Sequence, residues 1–217
     1  MSAAFGSMFQ LWFVALSSIF FLVDPLGAIP TFLAIAGDAE PKRQRRLALR
    51  AAITCFVVLT MFAFLGRYIF KALGFTLPAF EIAGGIILLL IGIDTLQAKR
   101  SSTQEAPGEA QEATRKEDAG VIPLGIPMLA GPGAISAVMV LIGQSHTWHG
   151  YLPVITAIAI TCVASYLILA GAMRVAILLG QTGINILVRF MGLLLTAIAI
   201  QFMLNGLVHL GLLKTSG

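Results

Sequence analysis

The stretch FLVDPLGAIPTFLAI, residues 21–35, interrupts an apolar run with residues that lipid does not accept. The residues concerned are Asp24, Pro25, Gly27 and Pro30. A carboxylate and helix-breaking residues are costly at membrane depth unless the freed backbone groups are buried in protein or line a polar cavity. The stretch therefore predicts a membrane helix that is broken for a functional reason.

The composition of the chain is that of a membrane protein. Hydrophobic residues make up 58% and charged residues 11% of the 217 residues, whereas soluble domains carry about 25% charged residues. Mean hydropathy is +0.94. Apolar runs cover residues 8–36, 47–73, 79–98, 121–143, 151–179 and 184–213. We therefore expect an all-α integral membrane protein with six transmembrane helices, of which the first and fourth are broken.

One long polar stretch, residues 98–120, is too rich in charged and small residues to bury a core. It predicts a first three-helix repeat over residues 1–98, a polar cytoplasmic linker over 99–120 and a second, inverted repeat over 121–217. Eleven Lys and Arg residues lie on the linker side of the predicted spans and three on the other side. The positive-inside rule then places both termini outside the cytoplasm. Because no Lys or Arg precedes Lys42, we expect the first apolar run to be a spanning helix rather than a signal peptide.

The two halves of the chain are related by a shift of 107 residues. The shift places Pro25 on Pro132, Leu88 on Leu195, and the tripeptide at 53–55 on the identical Ile-Thr-Cys at 160–162. Since each half has three spans, the second half enters the membrane from the opposite side. Such 3+3 inverted-topology repeats are typical of secondary transporters that work by alternating access. A channel, a drug-efflux protein or a scaffold is also compatible with this symmetry.

The partner of the first break is AGPGAIS, residues 130–136. Proline and glycine break both helices at corresponding places. Half-helix N-termini attract a carboxylate and unwound carbonyls attract an ammonium group, so the two breaks suit a small neutral amino acid. The candidate substrate-binding residues are Asp24, Pro25, Leu26, Gly27, Ala28, Thr31, Ala130, Gly131, Pro132, Gly133 and Ser136.

Several of these residues have a structural interpretation as well. Asp24 is a candidate proton- or cation-coupling residue, or a cap that accepts N–H bonds at the break. Thr31 and Ser136 can instead bond to their own helices. Thr54, Thr161 and Gln201 are candidates to line the transport path, with interhelical packing as the alternative.

Other function classes find little support in the sequence. The chain has no HExxH motif, Ser/His/Asp set or phosphate-binding loop, so we expect no enzyme, no cofactor and no ATP coupling. The histidines His146, His149 and His209 have no Cys or carboxylate beside them in the chain, so no metal site is expected. Cys55 and Cys162 lie in apolar runs and are expected to pack as small hydrophobes. Without an aromatic-interleaved basic patch, we expect no nucleic-acid partner; the oligomeric state stays open.

Three segments resemble those of the MarC family of bacterial inner-membrane proteins: DPLGAIPTF (24–32), PLGIPMLAGPGAI (123–135) and PAFEIAGGIILLLIGIDTL (78–96). The resemblance covers essentially the whole chain and implies a carrier of small neutral amino acids such as alanine and glycine, in some members an exporter. Gly and Pro leave only a small cavity, which favours alanine, glycine or serine as the substrate. Together with the resemblance, this predicts an exporter or exchanger of these amino acids. The sequence departs from the family at Ala28, where Asn is frequent, and at Glu81, where many members have Arg.

Overall fold

In the computed structural model, residues 2–36, 39–97, 120–122, 124–143 and 148–213 are described, without the side chains of 2–8, 67, 148–150 and 181. Helices α1 (Ser2–Val23) and α2 (Ile29–Ala36) lie on either side of the first break. They are followed by α3 (Pro41–Leu73) and α4 (Leu77–Leu96). The second half contains a π-helical segment (Leu124–Leu129), α5 (Pro132–Gly143), α6 (Trp148–Ala170) and α7 (Ala172–His209). Most of the predicted linker, residues 98–119, lies outside the described residues.

Four of the described helices contain a segment long and apolar enough to span a membrane. These segments are Pro41–Gly66, Leu77–Leu96, Tyr151–Ala170 and Thr182–His209. Two shorter apolar helices, Phe9–Val23 and Pro132–Gly143, adjoin the two breaks. Large apolar side chains, among them Val57, Phe64 and Leu178, are exposed around the bundle, which suits lipid because soluble monomers rarely expose apolar surface of this extent. The all-helical prediction is confirmed, and the exterior is that of a membrane protein.

Local chemistry sets several of the helix ends. Proline opens α3, where the missing N–H costs nothing. The same helix ends at Gly74, whose φ of 70° is left-handed. The Thr76 hydroxyl caps α4 by accepting a bond from the Ala79 N–H at 3.4 Å. A tight turn between α3 and α4 follows from these residues.

The boundary between the last two predicted spans does not coincide with the boundary between α6 and α7 in the structure. The sequence predicts a helix over 151–179, but α6 ends at Ala170 and α7 begins at Ala172. Gly180 then interrupts α7 with φ 62° and ψ 177°, a conformation that favours glycine because it has no Cβ. The predicted loop is therefore a kink within α7, preceded by a turn at Gly171.

Both breaks lie where the sequence predicts them. Residues 24–28 separate α1 from α2, and Asp24 has a φ of 44°. In the second half, Ile126 is extended within the π-helical segment, with φ −132° and ψ 129°, and residues 130–131 separate that segment from α5. Both interruptions are short, five residues at 24–28 and two at 130–131, so each joins two helical segments that are adjacent in the chain.

Helices that the 107-residue shift relates pack against each other, α4 against α7 and α3 against α6. In the first pair the closest approaches are themselves related by the shift. A Cβ on Gly85 would lie 2.8 Å from the Ala199 carbonyl oxygen, and a Cβ on Gly192 would lie 3.0 Å from the Gly92 carbonyl oxygen. These small residues let the two backbones come into contact.

The second pair shows the same relation at the cysteines. Cys55 on α3 and Cys162 on α6 are both buried and free, and their thiols lie within hydrogen-bonding contact. The prediction that they pack as small hydrophobes is confirmed. The 107-residue shift therefore relates the two residues that meet at this contact.

Candidate functional site

A cavity of about 40 Å³ lies where the two breaks meet. A water molecule needs roughly 10–15 Å³ of such volume, so the space admits about three water-sized groups. Six of the predicted site residues line it: Asp24, Gly27, Ala28, Gly131, Pro132 and Gly133. Two segments more than 100 residues apart in the sequence are thus brought together as predicted.

Asp24 organises the first break. Its N–H still donates to the Phe20 carbonyl of α1 at 3.1 Å, and its carbonyl accepts from the Ala28 N–H at 3.1 Å. The Gly27 N–H donates to Asp24 Oδ1 at 2.9 Å, so the carboxylate caps the turn as one of the two interpretations states. A Cβ on Gly27 would lie 2.7 Å from Asp24 Cγ, so glycine is needed for the carboxylate to fold back over the turn.

The cavity is lined by the C-terminal end of one helix and the N-terminal end of another. Leu22 and Val23, the last residues of α1, line it together with Asp24. Pro132 and Gly133, the first residues of α5, also line it. The last carbonyls of a helix and its first N–H groups have no intrahelical partner and together carry a partial charge of about half a unit at each end. Since proline has no N–H, Gly133 is the first residue of α5 with a backbone donor.

The remaining wall is apolar and was not predicted as a site. Its residues are Leu88, Ile91 and Thr95 of α4, Met128 of the π-helical segment and Leu195 of α7. The Thr95 hydroxyl donates to the Ile91 carbonyl at 2.7 Å. One sequence signal points to this wall: Leu88 and Leu195 are equivalent under the 107-residue shift.

Five predicted site residues do not line the cavity: Pro25, Leu26, Thr31, Ala130 and Ser136. Ser136 is fully buried, and its hydroxyl donates to the Pro132 carbonyl at 2.8 Å. This is the bond to its own helix that the sequence leaves as an alternative. Thr31 is buried within α2. For these five residues, contact with a substrate stays a prediction.

The three candidate path residues lie at different places, and none lines the cavity. Thr54 packs against the π-helical segment, since a Cβ on Gly125 would lie 2.7 Å from its Cγ2. Thr161 is fully buried, and its hydroxyl has no hydrogen-bond partner among the described residues. Gln201 is exposed and donates from Nε2 to Asn205 Oδ1 at 2.8 Å. A role in the path stays a prediction for all three.

Glu81 is a buried carboxylate outside the cavity. Its side chain lies 2.9 Å from His209 Nδ1, and its predicted position at the headgroup level near Lys71 and Arg67 stays a prediction. The Arg67 side chain lies outside the described residues, as do His146 and the side chain of His149. No group of three or more His, Cys, Asp or Glu that could hold a metal occurs within the described part of the chain.

Comparison with known proteins identifies the family of the chain. A family model described as MarC family integral membrane protein matches residues 9–210. A UPF0056 membrane protein of Aquifex aeolicus is 34% identical, with 95% of each chain covered. A UPF0056 membrane protein of Methanocaldococcus jannaschii is 39% identical over 91% of this chain and 96% of its own length. The Escherichia coli UPF0056 membrane protein YhcE is 32% identical over 92% and 93%, respectively. No solved structure matches the chain.

Proposed function

Because the chain belongs to the MarC family of integral membrane proteins, we propose that it is a secondary transporter of small neutral amino acids such as alanine, glycine and serine. It acts as an exporter or exchanger in the plasma membrane, which is the inner membrane in bacteria. The observation that carries the proposal is the small cavity between the two helix breaks, which is lined by Asp24, the C-terminal end of α1 and the N-terminal end of α5.

The polarity of the cavity matches an amino-acid zwitterion. An α-ammonium group is expected beside Asp24 and the C-terminal end of α1, where carbonyl oxygens accept hydrogen bonds. An α-carboxylate is expected at Gly133, where α5 begins. A cation alone would match only Asp24 and the end of α1, and an anion alone would match only the beginning of α5.

The size of the cavity limits the side chain of the substrate. About 40 Å³ admits only a few non-hydrogen atoms in this conformation. The cavity walls formed by α4 and α5 cannot move apart easily, because Leu88 packs onto Gly133 and both residues are buried. Among amino acids, glycine and alanine come nearest to this limit and require the smallest expansion of the cavity, while leucine and aromatic substrates require the bundle to open much further.

Asp24 is the candidate coupling residue. It is the one carboxylate that lines the cavity among the described residues. The Gly27 N–H bonds to only one of the two Asp24 carboxylate oxygens. The other oxygen can accept a proton, a cation or the substrate ammonium group. Binding of any of these three offsets the cost of a charge in an apolar surrounding.

Alternating access follows from a 3+3 inverted repeat. The packing of α4 on α7 and the contact between Cys55 and Cys162 support this arrangement, because both follow the 107-residue shift. The cavity also contains equivalent residues from the two halves, Leu88 and Leu195. In this proposal one repeat rocks against the other around the cavity, with both termini outside the cytoplasm.

Counterflow in proteoliposomes tests the proposal. Vesicles are loaded with unlabelled alanine, and entry of labelled alanine, glycine, leucine and a cationic drug is followed with and without a pH gradient. We expect saturable exchange of alanine and glycine but not of leucine or the drug. Uptake of the drug, or uptake that does not saturate, would favour the efflux or channel alternatives. No exchange of any amino acid by folded protein would refute the proposal.

A further inference from the structure

A second pocket, of about 270 Å³, lies at the start of α3. It is lined by four cationic side chains, one carboxylate and one leucine: Lys42, Arg43, Arg46, Arg50, Glu40 and Leu47. A water-sized group needs roughly 10–15 Å³ of such volume, so the pocket has room for on the order of twenty such groups. It is therefore large enough for a phosphate group with its substituents, and its charge favours an anion.

The N-terminal end of α3 adds to this preference. Pro41 is the first residue of the helix, and its first turn contains no acidic residue. A helix N-terminus carries a partial positive charge and is usually accompanied by Asp or Glu. In α3 the cations Lys42 and Arg43 occupy these positions instead and line the pocket. The side chains and the helix end therefore favour negative charge at the same place.

The pocket also lies where a membrane-spanning segment begins. The apolar segment Pro41–Gly66 starts at the same residues, and both Lys42 and Arg46 are exposed. Basic residues at the end of a spanning helix lie at the level of the lipid headgroups, where anionic phospholipids present their phosphates. Arginine suits a phosphate in particular, because its planar group can donate to two phosphate oxygens at once.

The face of α3 that carries the pocket continues into the span as an exposed apolar stripe. Spacings of three and four residues keep side chains on one face of a helix. From Arg46 and Arg50, such spacings lead to four apolar residues that are each at least 42% exposed: Ile53, Val57, Met61 and Phe64. A free phosphate ion would contact only the basic end of this face. A phospholipid would place its headgroup in the pocket and an acyl chain along the stripe.

The inner end of the pocket lies against the second half of the chain. A Cβ on Gly120 would lie 2.6 Å from the Cβ of Arg50 and 2.8 Å from the Leu47 carbonyl oxygen. The pocket is thus bounded where residue 120 packs onto α3, a contact that exists only in the folded chain. A ligand that binds this folded arrangement raises the unfolding midpoint of the protein.

We propose that this pocket binds the headgroup of an anionic phospholipid, with an acyl chain along the apolar stripe of α3. Lys42 and Arg46 donate hydrogen bonds to the phosphate oxygens. The Glu40 carboxylate lies at the same pocket and repels the phosphate, so it limits the affinity. The site is separate from the cavity between the helix breaks, since the two share no lining residue within the described part of the chain.

Thermal unfolding of the full chain in a neutral detergent, without a transport substrate, tests the proposal. Three probes are titrated: dioctanoyl phosphatidylglycerol, dioctanoyl phosphatidylcholine, whose headgroup has no net charge, and glycerol phosphate, which has no acyl chain. We expect only phosphatidylglycerol to raise the unfolding midpoint, saturably and by about 3–6 °C at ten times its half-saturating concentration. An equal effect of phosphatidylcholine or of glycerol phosphate would overturn the proposal, as would the absence of any response to phosphatidylglycerol.

Arg46→Gln and Arg45→Gln form a matched pair of variants. Both arginines are exposed in neighbouring positions of α3, but only Arg46 lines the pocket. We expect Arg46→Gln to raise the half-saturating concentration of phosphatidylglycerol by about fivefold, and Arg45→Gln to leave it nearly unchanged. Equal effects of the two substitutions would show a general attraction to surface charge and would overturn the proposal.

Glu40→Gln tests the same pocket with the opposite sign. Because the substitution removes the carboxylate that repels the phosphate, we expect it to lower the half-saturating concentration by about two- to fivefold. Damage to the fold could not produce such a gain. An unchanged or higher concentration would contradict the placement of the headgroup in this pocket. Since no substrate is used, these outcomes are independent of the proposed transport.

Discussion

Substitution of Gly133 by alanine places one methyl group where the first turn of α5 meets α4. The new Cβ would lie 2.6 Å from Leu88 Cγ. Carbon atoms pack at about 3.5–4.0 Å, so the two groups must separate by about 1 Å. Since Leu88 is buried and both residues line the cavity, we expect the leucine side chain to move into the cavity.

The size of the effect on alanine transport follows from the volume of the cavity. A methyl group is similar in size to water, so it takes about one of the three water-sized spaces in the cavity. Alanine exceeds glycine by one methyl group as well. We therefore expect the half-saturation concentration for alanine counterflow in Gly133→Ala to rise by about tenfold or more, equivalent to about 1.4 kcal/mol. The rise for glycine is expected to be smaller.

Gly143→Ala is the matched control on the same helix. Its Cβ would lie 3.3 Å from Leu77 Cδ2 and away from the cavity, so we expect native kinetics. Overpacking in Gly133→Ala costs about 1–3 kcal/mol of stability, and both variants are checked for folding by thermal unfolding. An unchanged half-saturation for alanine in folded Gly133→Ala would show that this cavity is not the substrate site.

Three further predictions concern substitutions of Asp24, Gly192 and Ser136. Asp24→Asn keeps an oxygen for the Gly27 N–H but removes the charge. We expect a folded protein whose alanine counterflow falls by about tenfold or more; a native rate of counterflow would exclude a role for the charge. Gly192→Ala brings a Cβ to 2.6 Å from the Leu96 backbone nitrogen; we expect it to lower the free energy of unfolding by about 1–3 kcal/mol, and a native unfolding midpoint would contradict the packing of α4 on α7. Ser136→Ala removes a hydroxyl bonded to its own helix; we expect a loss of about 0.5–1.5 kcal/mol with native half-saturation constants, and a large rise in the alanine constant would instead make this hydroxyl a substrate ligand.

The sequence was sufficient for the features that depend on local backbone chemistry. Proline and glycine act on their own helix turn wherever that helix lies, so the breaks at 24–28 and 130–131 could be predicted from the positions of these residues in the sequence. Asp24 caps its break because its acceptor reaches an N–H three residues away. The limits of local reasoning show at Gly171, where a continuous apolar pattern conceals the turn between α6 and α7, and at Gly180, where a predicted loop is a kink within α7.

The residues on the cavity's α4 wall could not be predicted in the same way. Membrane helices are apolar on all sides, so hydrophobic periodicity does not distinguish a face toward protein from a face toward lipid. Leu88 and Ile91 therefore look like their exposed neighbour Leu90 in the sequence. The repeat pairs Leu88 with Leu195, but only packing shows that this pair borders the cavity.

The sequence alone determined that two broken segments occur at corresponding places in an apolar chain, because broken helices and repeats are properties of residue order. Only the tertiary structure decided what those segments meet. It brought the end of α1 and the beginning of α5 to one cavity, and it buried Glu81 against His209 across 128 positions. Such contacts depend on how each helix is rotated about its axis, and that rotation is fixed by packing between elements that are distant in the chain.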